Sequence, residues 1–260
     1  MRWPAFTLAV RLRLSGTASA AAGLIALIIL AGALFPAVGH TIGKLSLPRG
    51  AANLLGGADY STVAGWFKGE IASVYGPLVI AGVAITGAAA TTAGEEEERV
   101  LSLLLGHPIA RARLIEAKAA AVGVAVLIIA LACLIGLIAG VAAAGGGVGI
   151  GNEAALAAHL AAFGLTTGAL ALALGAGTGR RALCIAAASG VSLLGYLIAG
   201  FAPLVDGLGW LGYLSPYHYY ADHDPLRHGL AIGDVAVLAL LAMVLTALAI
   251  ARFERRDLRA

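Results

Sequence analysis

Polar positions in this chain are bunched, and the apolar positions between them run together. Six stretches, 15–38, 73–92, 117–144, 155–176, 182–202 and 234–251, consist mainly of Ala, Leu, Ile, Val and Gly, with almost no charge inside them. A helix needs about 20 mainly apolar residues to cross a hydrocarbon core about 30 Å thick, and each stretch is close to or above that length. Helices on the surface of a soluble protein keep a polar face, and transmembrane barrel strands alternate over about ten residues. These runs do neither. The pattern predicts an all-α polytopic membrane protein, a single transmembrane domain with six transmembrane helices.

Composition narrows the picture further. Apolar residues make up 60% of the chain, charged residues 12%, and mean hydropathy is +0.94. A soluble globule carries roughly 25% charge, so this chain cannot cover its surface with polar groups. Disorder, a nucleic-acid-binding role and a secreted disulfide scaffold are excluded together. Cys133 and Cys184 both lie inside apolar runs, where neither a disulfide framework nor a zinc site can be read.

Charge sets orientation. Both termini share a side with the loops between spans two and three and between spans four and five. That side holds Arg2, Arg11, Arg13, Arg99, Arg111, Arg113, Lys118, Arg180, Arg181, Arg252, Arg255, Arg256 and Arg259, 13 of the 17 Lys and Arg residues. The positive-inside rule therefore predicts cytoplasmic termini. The first apolar run is about 24 residues long, whereas a cleaved leader has 7–15, so it is expected to remain as a span. Residues 1–14 mix Trp3, Phe6, Leu8 and Leu12 with Arg2, Arg11 and Arg13. They read either as an amphipathic segment lying on the inner leaflet or as a plain positive flank.

Two outer loops of about 30 residues, 39–72 and 203–233, carry the aromatic stretches Val63–Phe67 and Leu208–Leu214, which are expected to form half-helices at the membrane edge. Trp210, Tyr213, Tyr217 and His218 are the candidate outer gate. His218, His223 and His228 stand near Asp222 and Asp224. These residue types can hold zinc, but a five-residue spacing does not place all three histidines on one helical face. The loop is read as solvated, with a metal site or a substrate contact as alternatives, and no metal site is assigned.

The inner connection 94–113 is the most informative segment. Thr92 followed by Glu95 fits a capping box, and Glu95, Glu96, Glu97 and Glu98 would then lie at the positive end of a new helix. Gly106 is a terminator and Pro108 suits the first turn of the next helix. A short helix over Glu95–Leu105 is thus expected, with a Glu95–Arg99 pair and a ridge of Leu101, Leu104 and Leu105. His107 completes the turn, and Arg111, Arg113 and Lys118 are expected at the lipid headgroups, with Arg11 and Arg13 anchoring the first span. The ridge is either tucked under the bundle beneath a solvated acidic cap or offered to a partner's groove.

At these residues the sequence resembles the ATP-binding-cassette type-2 (ABC-2) permease family. The likeness lies in Gly94–Glu98, the run Leu101–Leu105, Pro108–Arg111 and Lys118, then in 215–217 and 224–227, and finally in 253–258. It implies the membrane subunit of a bacterial exporter in the inner membrane, paired with a second permease, identical or a sibling. It also implies two ATPase subunits that hold the Mg-ATP and grip Glu95–Leu105 and the turn His107–Pro108 as a coupling element. The chain has no Gly-x-x-x-x-Gly-Lys-Ser/Thr phosphate cradle of its own; Gly175–Arg180 echoes one without the lysine or spacing.

A membrane enzyme is the main competing class. A serine hydrolase needs nucleophile and base within hydrogen-bond reach, yet Ser189 and Ser192 lie in span five and the only in-span histidine is His159 in span four. No Asp or Glu falls centrally in any span, so the interior is expected to be free of charge and unsuited to ion or proton conduction. Gly136–Gly140 and Gly164–Gly168 are expected to be small faces for close helix packing. A greasy, weakly polar path suits an amphipathic or lipid-like cargo such as a drug, antibiotic or lipid. A non-transport scaffold, immunity or sensor subunit is the alternative.

Overall fold

The computed structural model describes residues 4–42, 48–98 and 110–256. Among the described residues six helices are long and apolar enough to cross a membrane, and no strand occurs. The chain is an all-α polytopic membrane protein. Its elements are α1 (Pro4–Ile42), α2 (Arg49–Leu54), α3 (Val63–Glu97), α4 (Arg111–Ala143), α5 (Ile150–Thr178), α6 (Arg181–Phe201), α7 (Pro216–Ala221), α8 (Pro225–His228) and α9 (Ile232–Arg255). Two 3₁₀ turns, Ala202–Leu204 and Gly209–Leu214, link α6 to α7.

The helices differ in how much they bury. In α5, 72% of the apolar window is enclosed by other helices, against 17% in both α6 and α9. α5 is therefore the hub, with α3, α4 and α9 packed around it, while α1 lies along α4. Close approach follows from small residues. A Cβ on Gly140 would stand 2.7 Å from the Ile28 carbonyl oxygen, and one on Gly32 would stand 2.1 Å from that of Gly140. Gly164 and Gly168 play the same part between α5 and its neighbours, where a Cβ would meet Ile80 at 2.7 Å and Val122 at 2.9 Å. Both small faces expected from the sequence pack against helices. In a bilayer, where lipid tails are as apolar as leucine, such contact surfaces are what association rests on.

Three features of α1 and α3 depart from expectation. α1 is one uninterrupted helix of 39 residues, with no break between residues 14 and 15. At 1.5 Å per residue it is about 58 Å long, roughly twice the hydrocarbon thickness. α3 begins at Val63 rather than near residue 73, so the expected half-helix Val63–Phe67 is simply its first turn. The Thr62 hydroxyl caps that turn by accepting the Gly65 N–H at 3.1 Å. Lys68 and Glu70 interrupt the apolar run in sequence but not in space. Lys68 pairs with Asp224 at 3.0 Å, and Glu70 interacts with the Tyr60 phenol. Finally, no capping box restarts a helix at Thr92. The hydroxyl of Thr92 donates back to the Ala88 carbonyl at 2.7 Å, and α3 continues through a π-helical stretch, Ala90–Gly94, into Glu95–Glu97.

Gly140→Val forces a side chain into backbone that cannot retreat. Overpacking of this kind costs about 1–3 kcal/mol. The expected outcome is a lower melting temperature for the detergent-solubilised protein, whereas Gly16→Ala, where a Cβ meets nothing within 4 Å, should leave it unchanged.

Candidate functional site

Two regions bring chemistry-bearing residues together, one at each end of the bundle. The first is the end of α3. Glu95–Glu98 stand at the C-terminal end of a long helix, where the macrodipole disfavours negative charge, and cations and N–H donors from the neighbouring helices compensate. Glu95 pairs with Lys118 of α4 at 2.9 Å. Glu96, 8% exposed, receives the Arg256 guanidinium on both oxygens, just beyond α9. Glu97 accepts the backbone N–H of Arg181 at 2.9 Å and so caps α6, whose own N-cap Arg180 makes no side-chain cap. Arg13 of α1 faces Glu95 and Glu98 electrostatically.

Further bonds knit the same cluster. Arg256 also donates to the Ala176 carbonyl at 3.0 Å, and Arg111 donates to the Arg256 carbonyl at 3.0 Å. Gly179 terminates α5 with a left-handed φ of +60°. A Cβ there would sit 2.5 Å from Arg256 Nη2 and 2.7 Å from Glu96 Oε2, so a side chain would displace this ion pair, and the left-handed backbone itself favours glycine.

Several expectations are corrected here. The acidic run is not solvated throughout: Glu95 is half-buried and Glu96 buried against the bundle, and only Glu97 and Glu98 of the four are exposed. Lys118 does not face outward as a lipid anchor: it is 2% exposed and ion-paired, because its helix turns it toward Glu95. Arg13 and Arg111 are half-buried, while Arg11 and Arg113 are exposed as an interfacial anchor requires. Buried ionisable residues do occur, but toward the ends of the spans: Lys118, Glu96 and Glu153 are 2%, 8% and 2% exposed and His159 0%. Arg99, Leu101, Leu104, Leu105, His107 and Pro108 lie outside the described residues.

The second region is at the opposite end. A chamber of about 660 Å³ is lined by all four expected gate residues, Trp210, Tyr213, Tyr217 and His218, together with Lys68 and Tyr196. Below it lies an apolar groove of about 270 Å³ between α3 and α6, whose wall includes Leu78, Ile85, Phe163, Ser192 and Leu193. Ser73, Tyr196 and Tyr217 border both spaces. Leu78 and Leu193 are 66% and 58% exposed, so the groove faces outward between the helices.

A tyrosine cluster forms the boundary. The ring of Tyr217 lies edge-on to Tyr196 at 5.0 Å and to Phe163 at 5.9 Å. Its phenol donates to the Ser73 carbonyl, and that of Tyr220 donates to the Ala72 carbonyl at 2.7 Å. Those two carbonyls belong to a π-helical stretch of α3, Lys68–Tyr75, and π-bulges commonly mark functional places in helices. Burial pushes both phenols well above their ordinary range, so they stay protonated as donors. Ser215 secures the segment by donating to the Gly195 carbonyl at 2.8 Å and accepting the Tyr217 N–H at 3.1 Å.

Sequence reasoning missed Lys68, Ser73 and Tyr196. The signal available was Asp224, whose charge beside a membrane end needed a partner; it takes Lys68 at 3.0 Å and Arg227 at 3.7 Å. His218 lies 3.6 Å from Asp222, and the Nδ1 of His228 bonds the His223 carbonyl. Among the described residues no group of three His, Cys, Asp or Glu side chains converges to hold a metal.

An all-helical bundle with six candidate spans defines a polytopic membrane protein. The chain belongs to the ABC-2 family of transporter proteins, whose family model matches residues 12–258. It is thus an ABC transporter permease, a membrane subunit and not itself the ATPase. No curated protein matches it.

Lys118→Met leaves Glu95 without its cation, and breaking a buried pair costs about 3–5 kcal/mol. Thermal melting should show a large loss for Lys118→Met and recovery of most of it in Glu95→Gln/Lys118→Met; equal melting of all three would dismiss the pair as a structural tie.

Proposed function

We propose that the chain is the membrane half of a bacterial exporter for amphipathic, lipid-like compounds, driven by separate ATPase subunits. The observation that carries this reading is that the two spaces share Ser73, Tyr196 and Tyr217 as a common wall. A polar, aromatic chamber beside an apolar groove suits a molecule with a head and a tail. Amphipathic tyrosines and a tryptophan are suited to such a boundary, since one edge of each is apolar and the other carries a hydrogen-bonding group.

The positive-inside distribution supports cytoplasmic termini in the inner membrane, which sets the chamber on the outer face. Two permeases, identical or sibling chains, pair in the membrane, and two ATPases holding Mg-ATP seat on the segment that follows Glu98. Movement of that segment reaches α4, α6 and α9 directly, because Glu95, Glu96 and Glu97 are bonded to Lys118, Arg256 and the start of α6. ATP binding then favours one of two helix packings by the difference in its affinity for them. Glu95 and Glu96 transmit force, and the contact with the ATPase falls on Glu97, Glu98 and the leucine run beyond.

Two measurements test the reading. Leu101→Asp/Leu104→Asp should abolish co-purification with the partner ATPase subunit, and continued binding and transport would remove the docking assignment. Leu193→Trp fills the groove from its lipid-facing rim. It should lower ATP-dependent efflux of amphipathic compounds from reconstituted vesicles about tenfold without loosening the ATPase. Undiminished efflux would rule out the groove as the path.

A further inference from the structure

Where α9 ends, Leu248, Ala251, Arg252 and Arg255 recur at spacings of three and four, which puts them on one helical face. With Arg256 and with Gly177 of α5, they line a pocket of about 250 Å³. Its lining is of two kinds, the aliphatic residues Leu248 and Ala251 and three arginines. Among the described residues no carboxylate lines it. Glu96 neutralises Arg256, whereas Arg252 and Arg255 are exposed and make no ion pair among the described residues. Among the described residues the pocket is thus lined by three arginines and no carboxylate.

Its depth matters as much as its charge. The last span runs Ile232–Arg255, so the pocket lies where hydrocarbon gives way to headgroups. Guanidinium forks match phosphate oxygens in geometry and charge, and basic pockets between transmembrane helices select anionic lipid headgroups. A free anion would use the arginines and leave the aliphatic residues wet. A phospholipid uses both, with the phosphate at Arg252 and Arg255 and a chain along Leu248.

We propose that this pocket is a binding site for the phosphate of an anionic phospholipid. Arg256 gives the site a reach beyond itself. The same guanidinium holds Glu96 and the Ala176 carbonyl, so a lipid phosphate seated here adjoins the tie between α9, α5 and the end of α3. The proposal needs only the membrane-spanning fold and stands apart from the reading of cargo and ATPase.

The test uses the full chain purified in detergent and phosphatidylglycerol as the probe, with bound lipid counted by native mass spectrometry against phosphatidylcholine. Wild type should retain one phosphatidylglycerol per chain in preference to phosphatidylcholine. R252Q/R255Q should weaken retention about tenfold or more, since each basic residue near an anionic surface is worth about fivefold. A251W, which fills the pocket and leaves the charge intact, should weaken it likewise and carries the test alone should the arginine variant fail to accumulate. R11Q/R113Q removes the same charge elsewhere and should retain the lipid. Equal loss in both double variants, retention by A251W, no preference over phosphatidylcholine, or displacement of the lipid by millimolar inorganic phosphate would each overturn the assignment.

Discussion

Three consecutive carboxylates at the wrong end of a helix organise half of this protein. Carbonyl dipoles accumulate at the C-terminal end of α3, and Glu95, Glu96 and Glu97 add formal negative charge to them. Such an arrangement is tolerable only if positive groups come from elsewhere. They come from Lys118 on α4, Arg256 after α9 and the unpaired N–H at the start of α6, with Arg13 of α1 nearby. Each is bonded or electrostatically tied to the same short strip, so the helices cannot slide independently at this end. Buried ion pairs are weak evidence for net stability. Their value here lies in fixing which helix ends meet.

At the opposite end a different device does the fixing. Tyr217, Tyr220 and Tyr196 place phenols on the carbonyls of Ser73, Ala72 and Leu54. Bonds from a surface segment to a helix backbone hold the chamber wall in register without filling it. One end of the bundle is thus tied by charge and the other by neutral hydrogen bonds around open space. Under the proposed function the charged end would receive force and the aromatic end would yield room.

Much of this was legible in the residues. Six apolar runs gave six helices, because hydrocarbon thickness leaves little choice of length. The Gly136–Gly140 pair announced a close crossing, and the four aromatic and histidine residues assigned to an outer gate do surround one chamber. What was hidden depends on partners distant in sequence. Thr92 and Glu95 satisfy a local capping pattern, but the helix already running through them keeps the backbone bonds that a new cap would have supplied. Lys118 looked like an interfacial cation because sequence cannot show that Glu95 waits opposite it. Lys68 and Glu70 seemed to end an apolar run, yet Asp224 and Tyr60 satisfy them in place. In each case a local rule was read correctly and a tertiary contact overrode it.

The wide turns on either side of Gly76–Ala89 have a mechanical meaning. A π turn carries one residue more than the ladder around it requires, and in an α-helix one residue corresponds to about 100° of rotation about the axis. With Lys68–Tyr75 at one end and Ala90–Gly94 at the other, the central rod is bounded by two dislocations rather than clamped by two rigid joints. A dislocation that migrated into the rod would rotate each residue it passed, Leu78 among the first from one end, while the outer anchors stayed fixed. The second span is built less like a strut than like a shaft between two bearings.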